Sequence, residues 1–224
     1  LKLSKRLERI EQLVSGNYDH VWDCCCDHGL LGATLLKREA AANIHFVDIV
    51  PTLMQQLEAK LKRFPTLTAS KWHIHCQDVS TLPLGELSGT HLVIIAGVGG
   101  DLMTQFVENL ITSNPTKKID FLLCPVHHQF TLRQSLRRLK CGLIDECLIK
   151  ENQRFYEIIY ASTELQGNTL VAPVGDKLWQ TKTTEQLVEV REYLEKTLAH
   201  YQRIQFGSKK TVEHIVRYYQ AVEI

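Results

Sequence analysis

An excess of charge of either sign is what this 224-residue sequence most plainly lacks: 26 Lys and Arg face 25 Asp and Glu, for a formal net charge of +1. No global field draws the chain onto nucleic acid or membrane, so any polyanionic partner must be met by local patches. Long apolar runs are missing too. None approaches the ~20 residues needed to cross a bilayer, and the amphipathic start LKLSKRLERIEQLV has no apolar signal core. The seven cysteines are bunched rather than spaced as in a secreted disulfide framework. C-x2-C occurs nowhere, which removes both the usual zinc spacing and the usual redox dithiol. Internal repeats and low-complexity tracts are absent. The expectation is a cytoplasmic globular protein with reduced thiols, no membrane segment and no metal.

What is present is alternation. Short apolar runs read as strands at 20–24, 44–49, 72–77, 91–96, 120–124, 143–149 and 155–161. Helical periodicity lies between them at 29–41, 51–63, 100–111 and 128–140, while 78–90, with Pro83, Gly85 and Gly89, is looser. Near-continuous apolar strands are those covered by helices on both faces. The sixth and seventh strands are separated only by a few residues around Glu151 to Gln153, which predicts an antiparallel hairpin. The fold class is therefore α/β: a doubly wound, Rossmann-like sheet of seven strands whose last pair is antiparallel. A linker, QGNTLVAPVGD (166–176), follows. Beyond it, Leu187, Val190, Leu194, Leu198 and Tyr201 form one apolar stripe, and Val212, Ile215, Val216, Tyr219 and Val222 form another. With a break at Gly207-Ser208, this reads as a helical hairpin. The expected units are 1–165, including an N-terminal helix, and 166–224.

In open α/β sheets ligands bind at the carboxyl ends of the parallel strands, near the point where strand order reverses. Those ends carry Asp23-Cys24-Cys25-Cys26-Asp27-His28-Gly29, Asp48, Gln77-Asp78, Ala96-Gly97-Val98-Gly99-Gly100 and Cys124-Pro125. Asp48 is placed to accept from ribose hydroxyls, and Asp78 from an adenine amino group, with Ile49 and Val79 sandwiching the ring. Capping of the next helix is the alternative for each acid. Three consecutive cysteines cannot converge on one ion from extended backbone, and they read as small fillers where a cofactor passes close. Dinucleotide enzymes need G-x-G-x-x-G at this turn, but the chain has only G-L-L-G, with Cys25 and Asp27 where earlier glycines would lie. An acid there repels a pyrophosphate and suits an α-amine and a sulfonium, which favours S-adenosylmethionine over NAD.

LKLSKRL at the start, D-x-x-x-D-H-G-x-L in the first turn, IIAGVGG after the fourth strand and FYEIIYA in the last together resemble the bacterial tRNA (adenine-22-N1)-methyltransferase family. LVAPV followed by a helical tail is similar as well, so the likeness spans nearly the whole chain. It differs at the first turn, where the family usually has D-I-G-S/T-D-H, and at Cys124-Pro125-Val126, where it commonly has Q-P-N. The resemblance implies a class I methyltransferase fold, S-adenosylmethionine as cofactor, tRNA as partner, methylation of adenine N1 and a helical appendage associated with RNA. Asp27 and His28 are then the catalytic candidates, contacting the donor amine or the adenine amine and positioning the base. Asp23, Cys25, Asp27, His28, Asp48, Ile49, Asp78, Val79, Ala96, Gly97, Val98 and Gly99 are the cofactor candidates. Lys5, Arg6, Gly100, Pro125, Arg133 and Arg137 are the tRNA candidates, the charged ones from clusters at 2–9 and 117–140. Rival readings are a methyltransferase acting on a small molecule or protein, a non-catalytic nucleotide-binding module and, disfavoured by Asp27, an NAD oxidoreductase.

Overall fold

The structure is a computed structural model describing residues 2–15, 17–63, 69–165, 167–207 and 212–224. Helix α1 (Lys5–Leu13) starts where the Ser4 hydroxyl accepts from the Leu7 amide. It leads into β1 (Tyr18–Cys24), α2 (Leu30–Lys37), β2 (Ala41–Asp48), α3 (Pro51–Arg63) and β3 (Lys71–Cys76). β4 (His91–Ala96), α4 (Gly100–Ser113), β5 (Ile119–Cys124), α5 (Gln129–Arg138), β6 (Gly142–Glu151) and β7 (Arg154–Ser162) follow. The tail is α6 (Thr184–Gly207) and α7 (Glu213–Gln220). Ser208 of the expected break and Gln166 of the linker lie outside the described residues.

All seven strands form one sheet, ordered β3-β2-β1-β4-β5-β7-β6, with only β7 antiparallel to its neighbours. Strand order reverses between β1 and β4, and register aligns Cys24 with Val47 and Ile95, Asp48 with Cys76, and Ala96 with Cys124. The five carboxyl ends therefore share one rim. Asn152 and Gln153 both have positive φ, as a two-residue turn matched to strand twist requires.

The helical stretch expected to reach residue 41 stops at Lys37. Glu39 takes φ +56° while the amides of Glu39 and Ala40 bond back to Leu36 and Leu35, a Schellman closure without glycine. Between β3 and β4 the chain makes only a 3-10 turn at Val79–Thr81. The sheet face shared by β1 to β4 there carries imidazoles. His20 Nε2 donates to the Ser88 carbonyl (3.1 Å), so His45 Nε2 donates to His20 Nδ1 (3.0 Å) and His75 Nε2 to His45 Nδ1 (2.9 Å). Trp22 stacks on His45 at 3.8 Å.

The tail helices share a core with the main body: Tyr193, Val190 and Tyr219 pack with Phe130 of α5, with Val174 of the linker and with Trp179 just beyond it. Beneath them Arg133, fully buried, lies 2.8 Å from Glu146 and 2.6 Å from Glu157, and the Tyr193 hydroxyl donates to Glu157. Among the described residues no helix is long and apolar enough to cross a membrane.

Candidate functional site: a crevice at the carboxyl rim

The β1–α2 turn is shaped by three left-handed residues, Cys25 (φ +56°), Asp27 (φ +49°) and Gly29 (φ +67°). Cys25 thus adopts the conformation glycine takes without steric cost. The Cys26 amide bonds to Val47 O, and the Asp27 amide to Asp48 Oδ2 (3.1 Å), which ties the turn to the end of β2. Asp23 is buried, and its Oδ2 accepts from the Gly32 amide (2.8 Å). Burial, opposed by that amide and reinforced by Asp48, pushes the Asp23 carboxyl up to about 7. The turn encloses a cavity of about 260 Å³ lined by Asp23, Cys25, Asp27, His28, Ala96 and Gly97, with Arg6 and Leu7 of α1 closing one side.

Asp27 and His28 are exposed at its mouth, the Asp27 carboxylate 3.7 Å from His28 Nε2. Gly29, not Asp27, caps α2, so Asp27 is spared for the crevice. Asp48 also accepts from the Val50 amide (3.1 Å), and Asp78 caps the 3-10 turn through Ser80 (2.7 Å), so the capping alternative is realised at Asp78. Burial lifts Cys25 to about 12, with the Asp48, Asp23 and Asp78 carboxylates adding to the shift. Burial also raises Cys24 and Cys26 above the ordinary thiol range. These are protonated thiols, poor as ligands and as nucleophiles. Among the described residues no three His, Cys, Asp or Glu side chains are grouped to hold a metal.

Several expected contacts lie elsewhere. Val79 is buried in the main core, so only Ile49 of the expected sandwich offers an exposed side chain. Val98 packs against the same core. A Cβ on Gly99 would meet the His127 ring at 2.2 Å, and one on Gly100 the His128 carbonyl at 2.4 Å. These glycines serve the fit of one loop on another, and Gly100, being buried, cannot face a substrate. Gly97 differs: its φ is +90°, and a Cβ there would meet nothing within 4 Å, leaving open space beside the crevice. Pro125 is buried as well.

The expected basic clusters disperse. Arg6 lines the crevice, its guanidinium 4.7 Å from the Tyr156 ring centroid and its buried Nε without a hydrogen bond. Arg9 turns to Cys147, while Lys5 stays exposed. Arg133 belongs to the buried ion triad and cannot reach a phosphate. Arg138 pairs with Glu108, and Lys118 with Glu164. Arg137 is exposed but sits in the last turn of α5, a ten-residue helix running away from the rim, about 15 Å by helix rise. In place of Pro125, the residues after β5 that face outward are His127 and His128, the latter 2.6 Å from Asp101. They lie only three and four residues beyond Cys124, the end of β5, within reach of the same strand-end rule applied slightly further along the chain.

A sheet that reverses between β1 and β4, closes with an antiparallel β7–β6 pair and gathers carboxylates around its first turn defines a Rossmann-like α/β protein of the class I methyltransferase type. The chain belongs to the methyltransferase domain family, whose model, described as "Methyltransferase domain", matches residues 3–159. It is 24% identical over 211 residues to the tRNA (adenine(22)-N(1))-methyltransferase of Bacillus subtilis, covering 91% of this chain and 86% of that protein. The crystal structure of the B. subtilis m1A22 tRNA methyltransferase TrmK superposes with a TM-score of 0.66 at 20% identity, covering 98% and 95% of the two chains. M. capricolum TrmK, in complex with S-adenosyl-homocysteine, gives 0.72 at 17% identity, covering 97% and 96%.

Proposed function

We propose that the protein transfers a methyl group from S-adenosylmethionine to N1 of an adenine in tRNA, position 22 being the one its relatives' names specify. The observation that carries this reading is the acid-rimmed first turn of a methyltransferase-family sheet, with open space at Gly97 across from it. Unit 1–165 holds the donor and unit 166–224 contributes to holding RNA, in the cytoplasm where tRNA and reduced thiols coexist.

The residues of the rim suit the donor. Outside the cavity's lining but near its Cys25, Asp48 and, through the oxygen not engaged by Ser80, Asp78 offer acceptors to ribose and adenine, and Ile49 offers an exposed apolar face. Asp23 and Asp27 favour a cation, and the unpaired Arg6 Nε at the crevice wall suits a carboxylate. S-adenosylmethionine, when bound, supplies an electrophilic methyl on a sulfonium. Adenine N1 carries an in-plane lone pair, so the N1–C bond forms as the C–S bond breaks and its electrons return to sulfur, without prior deprotonation. The protein's task is alignment. Asp27, exposed and held by its backbone to Asp48, accepts from the donor amine or the adenine amino group and stabilises the base as it becomes cationic. His28 is a positioning donor beside it. Because N1 lies on the Watson–Crick edge, the base must be unpaired or flipped out.

The test is incubation with radiolabelled S-adenosylmethionine and bulk tRNA lacking the modification, followed by nucleoside analysis. Label in 1-methyladenosine is the expected result, and label in another nucleoside or in none refutes the reading.

A further inference from the structure

A second cavity, about 280 Å³, lies between the loop after β5 and helix α6. Val126, His127 and His128 form one side, and Lys196, His200 and Tyr201 the other. The floor includes Phe155 and Tyr219: the Lys196 ammonium sits 5.3 Å from the Phe155 centroid, and Tyr201 stacks on Tyr219. Partial burial lowers the His200 imidazole, and Arg203 and His128 push it further down, so His200 meets the mouth as a neutral hydrogen-bonding ring beside the Lys196 ammonium. The nearby acids are engaged, Glu192 by Lys150 and Lys196, and Asp101 by His128. A further hollow on α6 shares Lys196 and adds Arg203 and the strongly exposed Phe206.

This cavity adjoins the donor crevice through a shared wall. The Gly100 amide bonds to His127 O (2.8 Å), the Val126 amide to Val98 O (3.0 Å), and the His127 ring fills the space above Gly99. Ala96 and Gly97 of the same loop line the crevice. Aromatic faces below and cations around the rim are what a single-stranded nucleotide requires, the base stacking and the phosphate meeting ammonium or imidazole.

We propose that this cavity seats the unpaired tRNA nucleotide flanking the target adenine, and that Lys196, His200 and Arg203 carry its backbone outward along α6. The inference rests on the tRNA reading above. Seating the neighbour fixes how far the target strand must turn for its adenine to reach Gly97, so the cavity is a positioning site and not part of the methyl-transfer chemistry.

The test compares wild type, Lys196→Ala/His200→Ala and, as an independent probe of the other wall, His127→Ala. The expected result is a tRNA Kd raised tenfold or more in the double variant, a shallower dependence on salt concentration, and S-adenosylmethionine affinity by calorimetry within twofold of wild type. An abasic nucleotide beside the target should weaken wild type but add little to the loss in the variant. Wild-type tRNA affinity and KM in both variants would overturn the inference while leaving the tRNA reading intact. A wild-type protein that binds donor but neither binds nor methylates tRNA would overturn both.

Discussion

Lowering the pH from 8 to 6 should weaken S-adenosylmethionine binding about tenfold, and Asp23 is the group responsible. Its carboxyl is pushed up to about 7, chiefly by burial and further by Asp48, although the Gly32 amide pulls the other way. At pH 6 about nine-tenths of the unbound protein would carry this group neutral, and at pH 8 about one-tenth. A cationic ligand favours the carboxylate, so binding expels the proton, and affinity rises with pH through 7. The cost at pH 6 relative to pH 8 is about 1.4 kcal/mol, one decade in Kd. Calorimetry at pH 6, 7 and 8, repeated in two buffers of different ionisation enthalpy, reads both the affinity and the released proton, about half per site at pH 7. Asp23→Asn keeps an acceptor for Gly32, should bind more weakly at pH 8, and should lose the pH dependence. His28→Gln, which removes the neighbouring imidazole, should keep it. A wild-type affinity that is flat or falls as pH rises would refute the reasoning.

Other outcomes are equally specific. His45 is held down at about 2, first by burial and then by the surrounding imidazoles. Since its folded value lies below the unfolded 6.5, its contribution to stability is present above that pH and is lost on acidification, by about 2 kcal/mol between pH 7 and 5. Asp23 titrates with the opposite sign, so the measurement is the stability difference between wild type and His45→Asn by urea unfolding, which should shrink by that amount at pH 5. A constant difference would contradict the imidazole chain. Cys25→Gly relieves the left-handed backbone and should change stability by under about 1 kcal/mol, whereas Cys25→Val should lose about 2 kcal/mol, as denaturant midpoints will show. Arg133→Met leaves the buried Glu146 and Glu157 without their shared cation and should cost about 3–5 kcal/mol. A folded, stable Arg133→Met that instead lost only tRNA affinity would restore its assignment to RNA.

The sheet was largely legible because its signal is local. The run HLVIIA predicts β4 over 91–96, where it is found, since both faces of that strand are covered. The acids at strand ends were legible for a related reason: topology fixes the rim, and the rim selects Asp23, Asp27 and Asp48 whatever their neighbours. Burial created by distant segments was not legible. Arg133 reads as a surface cation on an amphipathic helix until β6, β7 and α6 bring Glu146, Glu157 and Tyr193 over it. The Gly99-Gly100 pair looks like a ligand-approach loop because the residue that actually crowds it, His127, lies 28 positions from Gly99. The end of α2 is not marked in the sequence because Glu39 takes the left-handed position where a glycine would signal the stop.

The crevice as a methyl-donor site is tested most directly by a crystal structure of the protein grown with S-adenosylmethionine. Density for the donor should lie across the β1–α2 turn, ribose against Asp48, adenine beside Asp78 and Ile49, and the methyl directed toward Gly97. A donor bound anywhere else, or a cation held by Cys25 and Cys26 in its place, would contradict it.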